Sequence, residues 1–534
     1  MFGSKQIEKS LTSGMQTLFF TLDPYQSLLE SVTKNPISDF VDVIILATYF
    51  TILGILAIYG LHRYQLVYLY FKNKSNIPKY KSVLTRFPVV TIQLPIYNEQ
   101  FVAKRLIESV VKMNYPSHLL EIQVLDDSTD ETQSITRHCV QRFQKIGFNV
   151  QYHHRKKRSG YKAGALSSGL KSAKGEFIAI FDTDFIPNTS FLHDTIHYFM
   201  DPKVGMVQVR WGHINQNYSH LTRIEAMLLD GHFVMEHGGR SRSGRFFNFN
   251  GTAGIWRRKA IETAGGWQQD TLTEDTDLSY RAQLQGWKFI YLHDVVCLAE
   301  LPVEVNSFKS QQFRWTKGLV QTGIKLLPII FRSKIELKIK IEAFFHLSAS
   351  FSYPLMLMFS LIFLPAMVFR SFQGWIQIIL IDFPLFVVAT ISVSSFYLLS
   401  QRELSPSCWR QQIKYLPFLM SVGIGLSVNN TLAVIEALLG IKSSFKRTPK
   451  YCIQSTASTY VNHQKYHSKI GFTPFLEVII GIYFCFTTLY AWSSGNYIVI
   501  PFLFLFLSGF LYIGLMSLFQ IPITRFLHAK NNAK

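Results

Sequence analysis

Cysteine is scarce in this 534-residue chain, and the five present, Cys139, Cys297, Cys408, Cys452 and Cys485, stand far apart. No CxxC pair occurs, so the pattern supports neither a zinc cluster nor a disulfide framework, and reduced thiols are expected. Acids are also short: 34 Asp and Glu face 54 Lys and Arg, a net charge of +20. Such a balance can serve nucleic-acid binding. Here long apolar runs give the basic residues another place, on loops facing anionic lipid, and no nucleic-acid partner is expected. The N-terminus lacks a signal-peptide pattern, since Leu18-Phe19-Phe20 is too short for an apolar core and no small-residue cleavage site follows. Internal repeats and low-complexity stretches are absent.

What the chain has in quantity is apolar and aromatic residues, 48% and 15% of the total, with 45 Phe and 25 Tyr. Its length suffices for one full globular domain plus several membrane spans. Residues 41–61, VDVIILATYFTILGILAIYGL, can cross a hydrocarbon core of about 30 Å. The basic residues Arg63, Lys72, Lys74, Lys79, Lys81 and Arg86 follow, which places the next domain on the cytosolic side. The expected organisation is an amphipathic segment over 1–37, a span over 38–62, a cytosolic domain over 63–318, interfacial helices over 319–341 and a membrane region over 342–534. In that last region, crossings are expected near 343–369, 375–399, 474–493 and 497–519. Segment 415–440 is assigned to the interface, because Asn429, Asn430 and Glu436 make a lipid-exposed span expensive. The basic loop 442–469 is then cytosolic. Five crossings result, with six as the alternative.

Residues 88–305 read as α/β. PVVTIQLPIYNE, LEIQVLDDSTD and GEFIAIFDTDFIP are buried strands ending in polar or acidic residues, with helical stretches between them. This alternation predicts a mostly parallel sheet that binds ligands beyond the carboxyl ends of its strands.

The motifs fall at those ends. In Asp182-Thr183-Asp184 the two carboxylates lie two residues apart and can approach one point. Paired hard oxygens suit Mn2+ or Mg2+ bridging a pyrophosphate, with the ion offsetting the charge of a leaving diphosphate. Asp126-Asp127 makes an excellent helix N-cap; in a donor site these acids, and Asn98-Glu99, would instead accept hydrogen bonds from a nucleobase or ribose. Lys162, at a helix start in RSGYKAGAL, is placed to meet phosphate. Thr273-Glu274-Asp275 either caps a helix or supplies a general base for an attacking hydroxyl. In Gln311-Gln312-Phe313-Arg314-Trp315, Arg314 can clamp phosphate oxygens and Trp315 can stack on a sugar; an interfacial Arg/Trp belt is the plain alternative.

Taken in this order, DDS, DTD, TED and QQFRW resemble the membrane-integrated family 2 glycosyltransferases of GT-A fold, over about residues 40–520. QVLDDSTD, GYKAGAL, FNGTAG, AGGW and GWKFIYL are similar to the cellulose synthase-like A and C groups, makers of β-mannan, glucomannan or β-glucan backbones. The resemblance implies a cytosolic Rossmann-like GT-A domain inserted between transmembrane helices. It implies a processive, inverting synthase that takes hexose from GDP-mannose or UDP-glucose, builds a β-1,4-linked polysaccharide and passes it across the membrane. A transferase adding one sugar to a membrane lipid is the alternative. By motif, Asp275 would be the base. Asn98, Glu99, Asp126, Asp127, Lys162, Asp182, Gln311 and Arg314 would bind donor, and Asp182 and Asp184 the metal, Mn2+ or Mg2+. Phe249, Asn250, Gly251, Thr252 and Trp315 would line the acceptor position. Phe313 and Thr316-Lys317 depart from the family pattern around Arg314 and Trp315. FKRTPK, residues 445–450, resembles a mobile gating loop of processive synthases. The implied partners are donor, growing polysaccharide and lipid bilayer, in a bacterial inner membrane or the Golgi; oligomeric state is not legible.

Overall fold

The structure, a computed structural model, describes residues 36–80, 82–370, 383–442, 448–453 and 471–532. The N-terminal segment 1–35 and Phe445 to Arg447 of the FKRTPK stretch lie outside the described residues, as does most of the basic loop expected over 442–469. The chain divides into two compact units, Met1–Ile55 with Met358–Leu385, and Leu56–Leu357 with Phe386–Lys534. In the first, Tyr49 stacks on Phe359 with ring centroids 5.2 Å apart. The second holds the sheet and all the motifs.

Eight strands form one sheet: β1 (Val90–Ile96), β2 (Leu120–Asp126), β3 (Val150–His154), β4 (Phe177–Ile180), β5 (Phe185–Ile186), β6 (Val204–His213), β7 (Gly254–Arg257) and β8 (Lys288–Ala299). Their order is β3-β2-β1-β4-β7-β6-β8-β5. The strands β3, β2, β1 and β4 are parallel, as the alternation of strands and helices requires. The sheet as a whole is mixed, because β7 runs antiparallel between β4 and β6. Residues on β1, β2 and β4 are almost all buried, as apolar runs covered by helices on both faces must be. The register pairs Ile96 with Asp126 and Gln93 with Ile180. That alignment brings the chain just after β1, β2 and β4 to one edge, where Asn98-Glu99, Asp126-Asp127 and Asp182–Asp184 emerge.

Five helical stretches among the described residues are long and apolar enough to cross a membrane: Phe40–Lys72, Leu337–Phe369, Trp409–Leu438, Thr473–Ser493 and Tyr497–Phe519. The third is the stretch assigned above to the interface. Two of its polar residues are paired with protein. Asn429 Nδ2 donates to the Lys309 carbonyl at 3.0 Å, and Glu436 accepts from Lys317 Nζ at 2.6 Å. Both partners lie on the helix Val305–Arg332, which packs on Ser427–Leu438 through Val320, Val434 and Ala437. This long helix also carries Gln311 to Trp315, so the QQFRW motif stands on the same element that meets the apolar helices. Gly318 sets the approach of this helix to the sheet domain: a Cβ there would lie 2.6 Å from Thr273 Cγ2 and 2.8 Å from Thr273 N. Only glycine allows that contact, and it brings Arg314 beside the TED motif.

Candidate active site

The site is built from four peptide segments and one helix. Lys162 lies in the first turn of the helix Tyr161–Ser172. Its Nζ donates to Asp182 Oδ1 at 2.5 Å and to the Gly251 carbonyl at 3.0 Å. Asp182 N–H in turn donates to Thr252 Oγ1 at 2.8 Å. Gly251 has φ +79°, and a Cβ on it would lie 3.0 Å from Asp275 Oδ2 and 3.4 Å from Lys162 Nζ. Asp182, Lys162, Gly251 and Asp275 are therefore one cluster. Asp275 is in the first turn of the helix Glu274–Leu284, where its Oδ1 accepts from the Thr276 N–H at 2.7 Å.

The electrostatics of the cluster are strained toward negative charge. Burial raises the Glu274 carboxyl up to about 7, helped by Asp275 and opposed by Lys162. Burial likewise raises Asp275 to about 6 against the pull of Lys162. For Lys162, burial disfavours the ammonium, but Asp182, Glu274 and Asp275 outweigh it and hold the group above its ordinary value. Arg314 is pushed down to about 10 by burial, with Asp182, Glu274, Glu99 and Asp184 opposing. These are the residues the sequence named, converging on one point.

The acids at the ends of β1 and β2 have different partners. Asp126 is fully buried and spends both oxygens inward, accepting from Ser128 N–H at 2.8 Å, Thr136 Oγ1 at 2.7 Å and Tyr152 OH at 2.9 Å. These bonds brace the end of β2. Asp127 is gripped by Arg155 in bidentate fashion, at 2.8 and 2.5 Å. Asn98, at φ +53°, accepts from Thr129 N–H at 2.8 Å, and Glu99 accepts from Thr183 Oγ1. Arg158 stacks over Tyr97, its Cζ 3.4 Å from the ring centroid. Gln311, Arg314 and Trp315, at helical spacing i, i+3, i+4, are half-buried on one face of their helix.

Within the 249–252 stretch only part faces the site. Phe249 is fully buried, packed edge-on to Trp256 with centroids 5.7 Å apart, and Thr252 is buried with its hydroxyl on Asp182. Gly251 adjoins Asp275 and Lys162, and Asn250 precedes it in the chain.

The residues the motif reading left out are Thr448 and Lys450, the tail of FKRTPK. Lys450 Nζ lies 2.8 Å from Asp184 Oδ2 and donates to the Glu300 carbonyl at 2.5 Å. Arg314 Nη2 donates to Thr448 Oγ1 at 3.0 Å. Tyr451 N–H donates to Glu300 Oε1 at 2.8 Å. A segment over 100 residues downstream of QQFRW thus closes on the DTD motif. The signal was the resemblance of residues 445–450 to a gating loop; their distance in sequence hid the contact.

Residues 88–318 match the family described as glycosyltransferase like family 2. Glucomannan 4-beta-mannosyltransferase 2 of Arabidopsis thaliana is 43% identical over 282 residues, 50% of this chain and 53% of that protein. Glucomannan 4-beta-mannosyltransferase 1 of Cyamopsis tetragonoloba is 44% identical over 254 residues, 46% of this chain and 48% of that protein. The chain thus spans about half the length of the curated relatives it matches. Among solved structures, the mannosyltransferase PcManGT from Pyrobaculum calidifontis, in complex with GDP-Man and Mn2+, is 19% identical with a TM-score of 0.48, over 74% of this chain and 100% of that one. That likeness is below the level that fixes a common fold, whereas the match over 88–318 coincides with the sheet and its acidic edge. The part of the chain that is similar to glycosyltransferase like family 2 is thus the sheet and its acidic edge.

Proposed function

We propose that the chain is a membrane-embedded, inverting β-hexosyltransferase that polymerises hexose from a nucleotide sugar into a β-1,4-linked polysaccharide and passes the chain across the bilayer. One observation carries this reading: Asp275, Lys162 and the two DTD carboxylates meet beside Arg314, on a helix that continues into packing with apolar helices long enough to span a membrane. The names of the similar curated proteins support mannose as the hexose; GDP-mannose is the proposed donor, with UDP-glucose the second candidate.

Inversion by single displacement needs one base. Asp275 takes the proton of the acceptor hydroxyl, and its raised pKa brings it toward the working pH of a general base. Lys162 and Arg314 hold the donor diphosphate by charge, and Arg314 can do so through two parallel hydrogen bonds. Glu99, Asn98 and Asp127 bound the nucleoside side, with Asp126 behind them. Trp315 offers its ring to the acceptor sugar.

A divalent cation fits Asp182 and Asp184. In this structure each of these carboxylates has a lysine ammonium against it, so both positions call for positive charge. Among the described residues no group of three or more His, Cys, Asp or Glu could hold a metal alone. Two carboxylates completed by substrate phosphate oxygens are the usual way Mg2+ is held. When bound, Mn2+ or Mg2+ supplies neutralisation of the departing diphosphate.

The domain is assigned to the cytosolic face because basic residues crowd the sequence between the 40–72 helix and β1. Incubating purified protein in lipid with labelled GDP-mannose or UDP-glucose tests the proposal. Polymer sensitive to a β-1,4-mannanase or glucanase supports it, and a product carrying one sugar on lipid overturns the processive part.

A further inference from the structure

His232 belongs to none of the motifs, yet it contacts the site through Asn250. It opens the π-helical turn His232–His237, which follows directly on the helix His220–Gly231. Turns of this kind occur as short insertions in helices, frequently at functional sites. His232 Nδ1 lies 2.8 Å from Glu236 Oε2, and its Nε2 lies 2.8 Å from Asn250 Nδ2.

These contacts fix one another. Burial works against the Glu236 charge, but Arg240 and His232 outweigh it and hold the carboxyl well below its usual range. An ionised Glu236 can only accept, so in the neutral imidazole the His232 proton sits on Nδ1. Nε2 of that tautomer can only accept, so Asn250 must turn its Nδ2 toward it. The Asn250 Oδ1 then points elsewhere. It is buried and has no hydrogen-bond partner among the described residues. A buried amide oxygen with no donor is unfavourable until a donor arrives. The backbone around it is pinned: Asn250 N–H donates to Gln208 Oε1 at 3.0 Å, and the next carbonyl accepts from Lys162.

The chain of contacts continues away from the site. Arg240 Nη1 donates to Glu236 Oε2 at 3.3 Å and Arg240 Nε to Glu342 Oε1 at 2.9 Å, while Glu342 Oε2 lies 3.1 Å from His62 Nε2. Arg240, Glu342 and His62 are all buried. His232 is therefore held from the helices Pro36–Lys72 and Leu337–Ser348, both part of stretches apolar enough to span a membrane.

We infer that the Glu236–His232 pair positions Asn250 so that its amide oxygen, not its amide nitrogen, meets the incoming acceptor, and that this oxygen accepts a hydrogen bond from an acceptor-sugar hydroxyl. The inference rests on the acceptor reading of the 249–252 stretch. It makes His232 a positioning residue for acceptor recognition and leaves donor recognition to other groups.

The test uses the full chain in lipid and a β-1,4-linked manno-oligosaccharide as acceptor. His232→Leu removes both bonds; His232→Gln can rebuild them, its amide nitrogen donating to Glu236 and its oxygen accepting from Asn250. The expected result is an acceptor KM raised about tenfold in His232→Leu, the scale of one lost hydrogen bond. The donor KM should stay unchanged, and His232→Gln should recover most of the loss. The double variant His232→Leu with Asn250→Ala should be no worse than Asn250→Ala alone. An unchanged acceptor KM in His232→Leu, equal shifts in donor and acceptor KM, or additive losses in the double variant overturn the inference. If His232→Leu does not fold, His232→Gln against Asn250→Ala decides: near-normal acceptor KM in the first with a raised one in the second supports the inference, and equal losses overturn it. A wild type that extends no oligosaccharide ends the acceptor reading itself, and this inference with it.

Discussion

Around Lys309 each buried charge meets its own opposite partner. Its Nζ is 2.7 Å from Glu477 and also donates to Thr473 Oγ1 at 3.4 Å and Ser517 Oγ at 3.3 Å. Lys317 is settled the same way, against Glu436 at 2.6 Å and the Ile441 carbonyl at 2.7 Å. Around Lys162 the sum differs: Asp182, Asp184, Glu99, Glu274 and Asp275 crowd toward Lys162, Arg314 and Lys450. Both regions bury ionised groups in the same unit. In the first, pairing one to one fixes the helix Val305–Arg332 to its neighbours. In the second, acids outnumber their cations, and burial, with Asp182 adding to it, holds Asp275 above the usual carboxylate range; that imbalance suits the proposed base and cation roles.

The largest effect should come from removing the base. Asp275→Asn is expected to lower turnover by about 10²–10⁴-fold, the range for lost general-base action. Donor affinity measured by calorimetry should be nearly kept. Near-normal turnover would move Asp275 from the site region to the paired, structural kind. Next is the cation: excess chelator should abolish transfer, and Asp184→Ala should lose both the metal response and tight donor binding. Full activity in chelator would mean that Lys162 and Lys450 alone suffice to balance the acids.

The paired region should respond in stability instead. Glu477→Ala leaves Lys309 buried without its partner and is expected to cost about 3–5 kcal/mol. Replacing both, Lys309→Met with Glu477→Leu, should restore the melting temperature in detergent and keep transfer activity. Loss of activity in a stable double variant would show that this pair, too, serves the chemistry.

The acidity of the site gives a smaller, graded effect. A base must be ionised to take a proton, and burial raises Asp275 to about 6. The kcat/KM profile should therefore hold at neutral pH and fall as pH drops through about 6. A limb near 4, the ordinary carboxylate value, would remove Asp275 as the base. The smallest effect is expected at Trp315: Trp315→Ala should shorten the product, a loss on the order of 1 kcal/mol in acceptor stacking. Unchanged length with weakened donor affinity would assign the ring to the donor.

How much of this was legible varied by residue. Asp182, Lys162, Asp275 and Arg314 were readable because each ends a strand or opens or lines a helix within a short motif. Phe249 looked the same in sequence as Asn250 beside it, but its ring is in the core. Asp126 and Asp127 were adjacent acids with like prospects; three inward hydrogen bonds occupy one and an arginine grips the other. The stretch 415–440 is assigned to the interface from Asn429, Asn430 and Glu436: sequence shows the cost of those groups in lipid, whereas the partners on the 305–332 helix that take up Asn429 and Glu436 emerge only in the structure.

By itself the sequence determined the local terms: buried strands from apolar runs, acids at their carboxyl ends, apolar helices long enough for a bilayer, and the order of motifs. These depend on neighbours in the chain, so pattern and spacing suffice. Tertiary structure decided which acids are spent inside the protein, that Lys450 reaches Asp184 across 266 positions of chain, and that His232 sets the Asn250 amide. Those outcomes depend on where a hydrogen-bond partner arrives from a distant element, and burial makes that partner decisive, since an unpaired polar group in the interior is costly while a paired one is nearly neutral.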